Sequence, residues 1–300
     1  MLYKMITIDL MGGLGNQLFQ IFVTIAYALN HKHKFVFTHD DILTVGVHRP
    51  TYWNHFLKRL AMFTTSNKAH GLANDFAKLW PRYKEPYFRY HEIQAIDPNT
   101  HFVLHGYFQS YKYFEKVQDK IYKMIQLEDQ QTAIREEYPT LLEKTNMQEN
   151  NISMHFRLGD YKMKQQYHPI LHPHYYELAL KNIIVKSAHQ NYKVLYFCEE
   201  EDNIYVEQLI AKIQSALTEH PITFIKVDDS IADWKQMLIM SCCDHNIIAN
   251  SSYSWWGGYL NTNVSKMVCY PNVWFGPGIP HTGNNAVDDL FPSSWTKIIV

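Results

Sequence analysis

Apolar positions recur at two different periods along this chain. Residues 5–10, Met-Ile-Thr-Ile-Asp-Leu, are rich in apolar and β-branched side chains, and after the turn Met-Gly-Gly-Leu-Gly-Asn the apolar positions of residues 17–30 recur at helical spacing. A strand, a glycine turn and a helix are predicted there. Further strands are predicted over 35–38 and 101–106, and a helix over 111–127. Residues 49–91, rich in Tyr, Trp and Pro, carry no readable period. From residue 152 the alternation becomes regular. Strands over 152–157, 193–198, 222–227, 245–249 and 266–270 are interleaved with helices over 173–189, 202–217, 231–240 and 252–260, the first opened by Pro173 in its first turn. Strands alternating with helices imply parallel sheets covered on both faces, so the expected class is α/β. Two Rossmann-like domains facing a cleft are expected, 1–148 and 149–300, with the polar stretch 128–151 as their junction.

Composition fits that picture and removes other classes. A chain of 300 residues has room for two domains, and 46% hydrophobic content excludes disorder. Charged residues are 19% and aromatics 15%, which predicts a neutral, aromatic surface. The 28 basic and 29 acidic residues nearly cancel, so nothing attracts nucleic acid or anionic lipid non-specifically. The uncharged apolar run 21–29 is far short of the ~20 residues that cross a bilayer. No secretory signal or anchor is recognisable, which leaves peripheral membrane contact open. Cys198, Cys242, Cys243 and Cys269 lack a C-x-x-C spacing and read as buried reduced thiols, so a cytoplasmic location is expected. The sequons at Asn151, Asn250 and Asn263 then read as chance. Nothing in the sequence indicates an oligomeric state.

Three stretches carry candidate chemistry. In Gly12-Gly13-Leu14-Gly15-Asn16-Gln17, glycines let backbone amides approach a ligand at a helix N-terminus. As a dinucleotide fingerprint it fails, because Leu18 stands where a third glycine belongs; the pattern alone fits a plain tight turn equally well. In His155-Phe-Arg157-Leu-Gly159-Asp160-Tyr161, Arg157 is the only arginine after Arg135 in a chain with 6 Arg among its 28 basic residues. A bidentate guanidinium at the carboxyl end of a strand suits a diphosphate, as a lysine would not, although a lone arginine is also commonly an ordinary ion-pair partner. His155 and Asp160 share the location. In Asn250-Ser251-Ser252-Tyr253-Ser254-Trp255-Trp256-Gly257-Gly258, capping explains one polar residue, and the cluster as a whole suggests a phosphate cradle at a helix N-terminus. Trp255 and Trp256 read as core.

Weaker signals have plainer explanations. His168, His172 and His174 read as loop histidines rather than metal ligands. The acidic run 199–202 reads as charge at a helix N-terminus, with Glu200 a candidate contact to ribose or base. No D-x-D triplet occurs, which disfavours a metal-held nucleotide sugar.

Together, Gly12 to Gln20, Gly106-Tyr-Phe-Gln-Ser-Tyr-Lys-Tyr-Phe114, His155 to Tyr161 and Ile248 to Trp256 make the sequence resemble the alpha-1,2-fucosyltransferases of glycosyltransferase family 11. The four motifs occur in the family's order and span nearly the whole chain. The resemblance implies a two-domain GT-B fold, GDP-fucose as donor, inversion at the anomeric carbon, a glycan acceptor and no metal or other cofactor. Residue by residue, it implies diphosphate binding by Arg157, with His155 and Asp160 matching. It also implies donor contacts from Asn250, Ser251, Ser252 and Tyr253, a nucleotide carboxylate at Glu200, and a loop of Gly13, Gly15, Asn16 and Gln17 facing fucose and acceptor. The family's second arginine is Leu158 here.

The mechanism expected is attack of a sugar hydroxyl on the anomeric carbon, with Arg157 and the Ser251/Ser252 helix terminus stabilising the departing diphosphate. Asp40, Asp41 and His105, near predicted strand ends, are candidate bases. Two other classes fit the pattern: a transferase for another nucleotide sugar, and an inactive glycan-binding relative.

Overall fold

Backbone pairing sorts the strands of the computed structural model into two parallel sheets and one two-stranded antiparallel ribbon, and the chain divides into two units, each with one parallel sheet: Met1–Glu128 with Thr282–Pro292, and Asp129–His281 with Ser293–Val300. The structure describes residues 4–44, 47–97, 99–146, 148–187, 189, 191–279 and 282–300. Both units are α/β with parallel sheets, as the periodicity predicts.

In the first unit, β1 (Met5–Ile8) turns through Gly12 into α1 (Leu14–His31). Then follow β2 (Lys34–Phe35), a small antiparallel ribbon of β3 (Ile42–Leu43) and β4 (Arg49–Pro50), β5 (Arg82–Lys84), β6 (Phe102–His105) and α2 (Gln118–Ile125). The sheet order is β2-β1-β6-β5, every pair parallel. α1 is buried from Leu14 almost continuously to Ala28, so it packs on all sides rather than along one stripe. Each fully buried Phe, such as Phe19 and Phe22, contributes about 1.5–3 kcal/mol by leaving water. Polar groups inside this helix are mostly bonded: the Gln20 carbonyl oxygen accepts from Met11 N at 2.9 Å, its amide donates to Gly106 O at 3.1 Å, and Thr24 Oγ1 donates to Gln20 O at 2.7 Å.

The structure differs from the expected elements where local chemistry interrupts the period. The strand expected over 35–38 pairs only at β2, with one bridge from Phe37 to Thr64 beyond it. The helix expected over 111–127 is two short 3-10 turns and then α2, because Gln126 adopts a left-handed conformation (φ 53°) and stops it. Within the unreadable 49–91 stretch, β5 is a three-residue edge strand, too short to show alternation.

The second unit contains α3 (Leu127–Glu137), α4 (Pro139–Leu142), β7 (Glu149–His155), α5 (Pro173–Ser187), β8 (Asn191–Phe197), α6 (Asn203–Ala216), β9 (Ile222–Lys226), α7 (Asp233–Ser241), β10 (His245–Ile247), α8 (Ser252–Tyr259), β11 (Val268–Pro271) and β12 (Thr296–Ile298). The parallel order is β12-β11-β10-β7-β8-β9. β7 is buried at every residue, as a central parallel strand must be when helices cover both faces. Trp255 and Trp256 are fully buried core residues, and Trp255 stacks on Tyr259 at 4.6 Å. Gly257 lets α7 close in: a Cβ there would stand 2.8 Å from Met240 Cβ.

The division between units falls at 128/129 rather than 148/149. Gln131 of α3 donates to Ser241 Oγ (2.9 Å) and Leu260 O (3.0 Å), and Arg135 donates to Cys242 O (3.0 Å), which ties α3 to the second unit. Residues 282–292 return to the first. The four cysteines are buried and reduced, and no described helix is long and apolar enough to cross a membrane.

Glu85, just past β5, anchors the turn after β6. Its carboxylate accepts from Tyr107 N at 2.7 Å and Phe108 N at 3.0 Å, where Phe108 is buried in a left-handed conformation (φ 50°). Burial pushes the Glu85 carboxyl up to about 7, more than the two backbone amides lower it. A raised carboxyl pKa contributes stability that is complete below the unfolded value near 4.5 and is lost as pH rises through 7. Glu85→Gln therefore gains on the wild type by roughly 3 kcal/mol between pH 4.5 and pH 8 in urea unfolding; a pH-independent difference between the two contradicts it.

Candidate active site

The second unit carries its polar cluster at the carboxyl edge of β7, β8 and β10. His155 is the last residue of β7, and the chain then turns through Arg157 and Gly159 into a 3-10 turn over Gly159–Met163. Gly159 has φ +36°, and a Cβ there would lie 2.4 Å from the Glu199 carboxylate. Its amide donates to Asp202 Oδ2 at 2.9 Å, which fastens this turn to the one that follows β8. Two carboxylates hold the Arg157 guanidinium, Glu199 on Nη1 and Asp160 on Nη2, while Tyr161 presents its ring 5.0 Å from Cζ. Burial works against the charge on Arg157, but Glu199, Tyr161 and Asp160 outweigh it and push its pKa up. A guanidinium has five N–H donors, so two carboxylate contacts leave donors to spare.

Lysines offset the acidic groups. Lys164 Nζ lies 2.9 Å from Asp160, and Lys162 pairs with Asp202. Glu199, Glu201 and Asp202 bring carboxylate oxygens within 4.8 Å of one another, with Arg157 and Lys162 as the adjoining cations.

His155 is 7% exposed, its ring 5.4 Å from that of Tyr253, and its Nδ1 has no hydrogen-bond partner among the described residues. Burial, with the Arg157 charge added, pushes its pKa down to about 3, so the ring is neutral at physiological pH. After β10, Asn250 donates to Pro169 O (2.9 Å) and Trp274 O (3.3 Å), and its carbonyl accepts from Tyr161 Oη at 3.1 Å. The buried Oδ1 of Asn250 has no partner among the described residues. Ser251 is the N-cap of α8, accepting from Tyr253 N at 3.3 Å, and Ser252 opens the helix. His155, Arg157, Asp160 and the 250–253 turn thus gather at one edge through Tyr161 and Tyr253.

Glu200, expected as a nucleotide carboxylate, is exposed at the head of its 3-10 turn, and Glu199, one residue earlier, reaches Arg157. An acidic residue directly after an apolar strand was the available signal. Leu158, where the resemblance implies a second arginine, is 4% exposed and belongs to the apolar core of the unit, so the side chain at 158 points inward while Arg157 points out. The three histidines of the 168–174 stretch have separate partners: His168 stacks on Tyr161, His172 accepts from His174 N, and His174 meets Glu177.

In the first unit the glycine loop lies at the carboxyl end of β1. Gly12 is the residue that requires glycine: its φ is +76°, and a Cβ there would stand 2.6 Å from Asn16 Nδ2. A Cβ at Gly13 would meet open space, and Gly15 is buried. Asn16 is half-buried and accepts from Gln109 Nε2 at 2.8 Å. Gln17 is fully buried, its amide donating to Gly12 O (3.0 Å) and Pro50 O (2.9 Å), so it braces the loop from behind instead of fronting a ligand. At the same edge Asp9 follows β1 and His105 ends β6, their side chains 2.8 Å apart.

Comparison with known proteins gives this site its context. Over 319 residues, 96% of this chain and 99% of the relative, the sequence is 24% identical to the O-antigen biosynthesis glycosyltransferase WbnK of Escherichia coli. Over 152 residues, 50% of this chain and 48% of the relative, it is 27% identical to an alpha-1,2-colitosyltransferase of Escherichia coli. The solved structure of POFUT1 in complex with GDP-fucose aligns with a TM-score of 0.47 and 10% identity over 89% of this chain and 98% of that one. Residues 2–277 match the family model described as glycosyl transferase family 11, and the chain belongs to that family.

Proposed function

We propose that this glycosyltransferase moves L-fucose from GDP-fucose to a hydroxyl of a glycan, with inversion and in alpha-1,2 linkage. The observation that carries the reading is Arg157, a guanidinium fixed by Glu199 and Asp160 at the end of β7. Beside it stand the α8 N-terminus and a buried His155 nitrogen without a partner among the described residues. In the proposed complex Arg157 uses its remaining N–H donors on the diphosphate, and α8 adds its positive end. His155, neutral at working pH, supplies a hydrogen bond without adding charge. Asn250, Ser251, Ser252 and Tyr253 shape the donor pocket, while Gly13, Gly15 and Asn16 border the acceptor. Charge that develops on the departing diphosphate is met by these fixed groups, so no metal ion is needed in this reading.

The alpha-1,2-colitosyltransferase among its relatives favours a second reading in which the donor carries a different deoxysugar. GDP release measured across a panel of nucleotide sugars, with linkage analysis of the product, separates the two. GDP-fucose is expected to be turned over fastest, and a faster donor overturns the assignment of the sugar.

Arg157→Ala is expected to lower kcat/KM by at least about 10²-fold while costing no more than about 1 kcal/mol of stability, since its ion-pair partners are half exposed. Near-normal turnover in that variant contradicts the diphosphate role. Leu158→Arg, which restores the family's second arginine, buries a charge in the core; it is expected to destabilise the protein by about 3 kcal/mol or more without tightening GDP binding in calorimetry. Enzyme stripped with EDTA is expected to keep its full rate, and loss of activity restored by a divalent cation contradicts the metal-free reading.

A further inference from the structure

We propose that His105, oriented by Asp9, is the base that removes the proton from the acceptor hydroxyl, an assignment that rests on the transferase reading above. β1 and β6 are adjacent and parallel, with Ile8 opposite Leu104, so Asp9 and His105 are the next residues along the same register. Asp9 N donates to Leu104 O at 3.0 Å and Glu85 N donates to His105 O at 2.8 Å, which fixes the main chain on both sides of the pair. The imidazole Nδ1 lies 2.8 Å from Asp9 Oδ2. With a carboxylate as partner, Nδ1 carries the hydrogen and donates, which leaves the Nε2 lone pair as the basic site. Arg82, from the neighbouring β5, donates to the same carboxylate through Nε at 3.0 Å. Three adjacent strands therefore contribute His, Asp and Arg to one point on the carboxyl edge.

The pair is accessible where a substrate would need it. His105 is 41% exposed and Asp9 32%, at the edge that also bears the glycine loop. The turn after His105 is tied to that loop twice, by Gln20 Nε2 to Gly106 O at 3.1 Å and by Gln109 Nε2 to Asn16 Oδ1 at 2.8 Å. Three other acids of this unit are placed differently. Asp40 and Asp41 accept from the neutral amides of Asn74 and Asn54, and Glu85 is occupied by the amides of residues 107 and 108.

In the step itself, the acceptor O–H proton passes to His105 Nε2 while the hydroxyl oxygen uses its electron pair to bond the anomeric carbon. The bond from that carbon to the diphosphate oxygen breaks, and its electron pair leaves with the nucleoside diphosphate. Asp9 stabilises the imidazolium that forms, and the proton is released to solvent with the product. His105 is the catalytic residue in this scheme, and Asp9 and Arg82 are positioning residues.

The test measures steady-state transfer from GDP-fucose, or from the best donor of the panel, in the full-length chain. GDP affinity by calorimetry and melting temperature are recorded alongside. His105→Ala is expected to lower kcat by about 10²- to 10⁴-fold with GDP affinity unchanged, and added imidazole is expected to restore part of the rate. His105→Gln, which keeps a polar side chain beside Asp9, is expected to lose the same rate, so that a folding defect in one variant cannot imitate the effect. Asp9→Asn is expected to lower kcat by about 10-fold or more with KM for both substrates unchanged. An active wild type matched within about three-fold by His105→Ala or His105→Gln overturns the base assignment and leaves the transferase reading intact. A wild type inactive on every donor overturns the transferase reading and this one with it.

Discussion

Parallel backbone pairing is the constraint from which the rest of this protein follows. When every strand of a sheet runs the same way, all of the carboxyl ends collect on one edge, and polar residues that cannot sit inside the sheet are delivered there together. In the second unit this brings the end of β7, the turn after β8 and the turn after β10 side by side. Arg157 thereby meets Glu199 across 42 residues of chain. In the first unit the same rule brings Asp9, Glu85 and His105 to one edge from β1, β5 and β6. Neither cluster needs a long-range turn or a disulfide to assemble it. The hydrogen-bonded ladder does so, and it is stabilised by the apolar faces that the helices cover.

Burial then decides which of the gathered groups is charged. His155 and Arg157 stand two residues apart, and both lie in partly or wholly desolvated surroundings. Burial, with the Arg157 charge added, leaves the histidine a neutral ring. The arginine has two carboxylates and an aromatic ring, and keeps its charge. Glu85 shows the third outcome, a carboxyl whose two backbone amide donors do not fully compensate the cost of burial. The edge of the second unit's sheet thus presents a permanent cation beside a neutral ring whose N–H can donate, a pairing suited to an anionic group.

Rigidity at the glycine loop comes from amides rather than from glycine itself. Gly12 makes the turn sterically accessible, but Gln17 and Gln20 hold it, the first bonding Gly12 and Pro50 and the second bonding Met11 and Gly106. Both glutamines are completely buried inside α1. Polar residues at such positions in an otherwise apolar helix are unfavourable unless their partners are in place, so they specify one arrangement of loop and helix.

The sequence by itself determined the α/β class, most of the strands and helices of the second unit, and the motifs at residues 12, 155 and 250. Those features depend on periods of two and 3.6 residues, on glycine and on N-cap chemistry, all of which act over a few neighbours. It also pointed to Arg157, because one arginine in a lysine-rich half is visible without any coordinates. Only the tertiary structure brought Glu199 to that arginine beside Asp160, since Glu199 and Arg157 stand 42 residues apart, just past neighbouring strands. Only the tertiary structure turned Gln17 inward, buried Leu158 in the core, assigned α3 to the second unit and paired Asp9 with His105. Each of these depends on a partner between 33 and 129 residues away or on the packing of a whole unit, and no local pattern encodes a neighbour that distant.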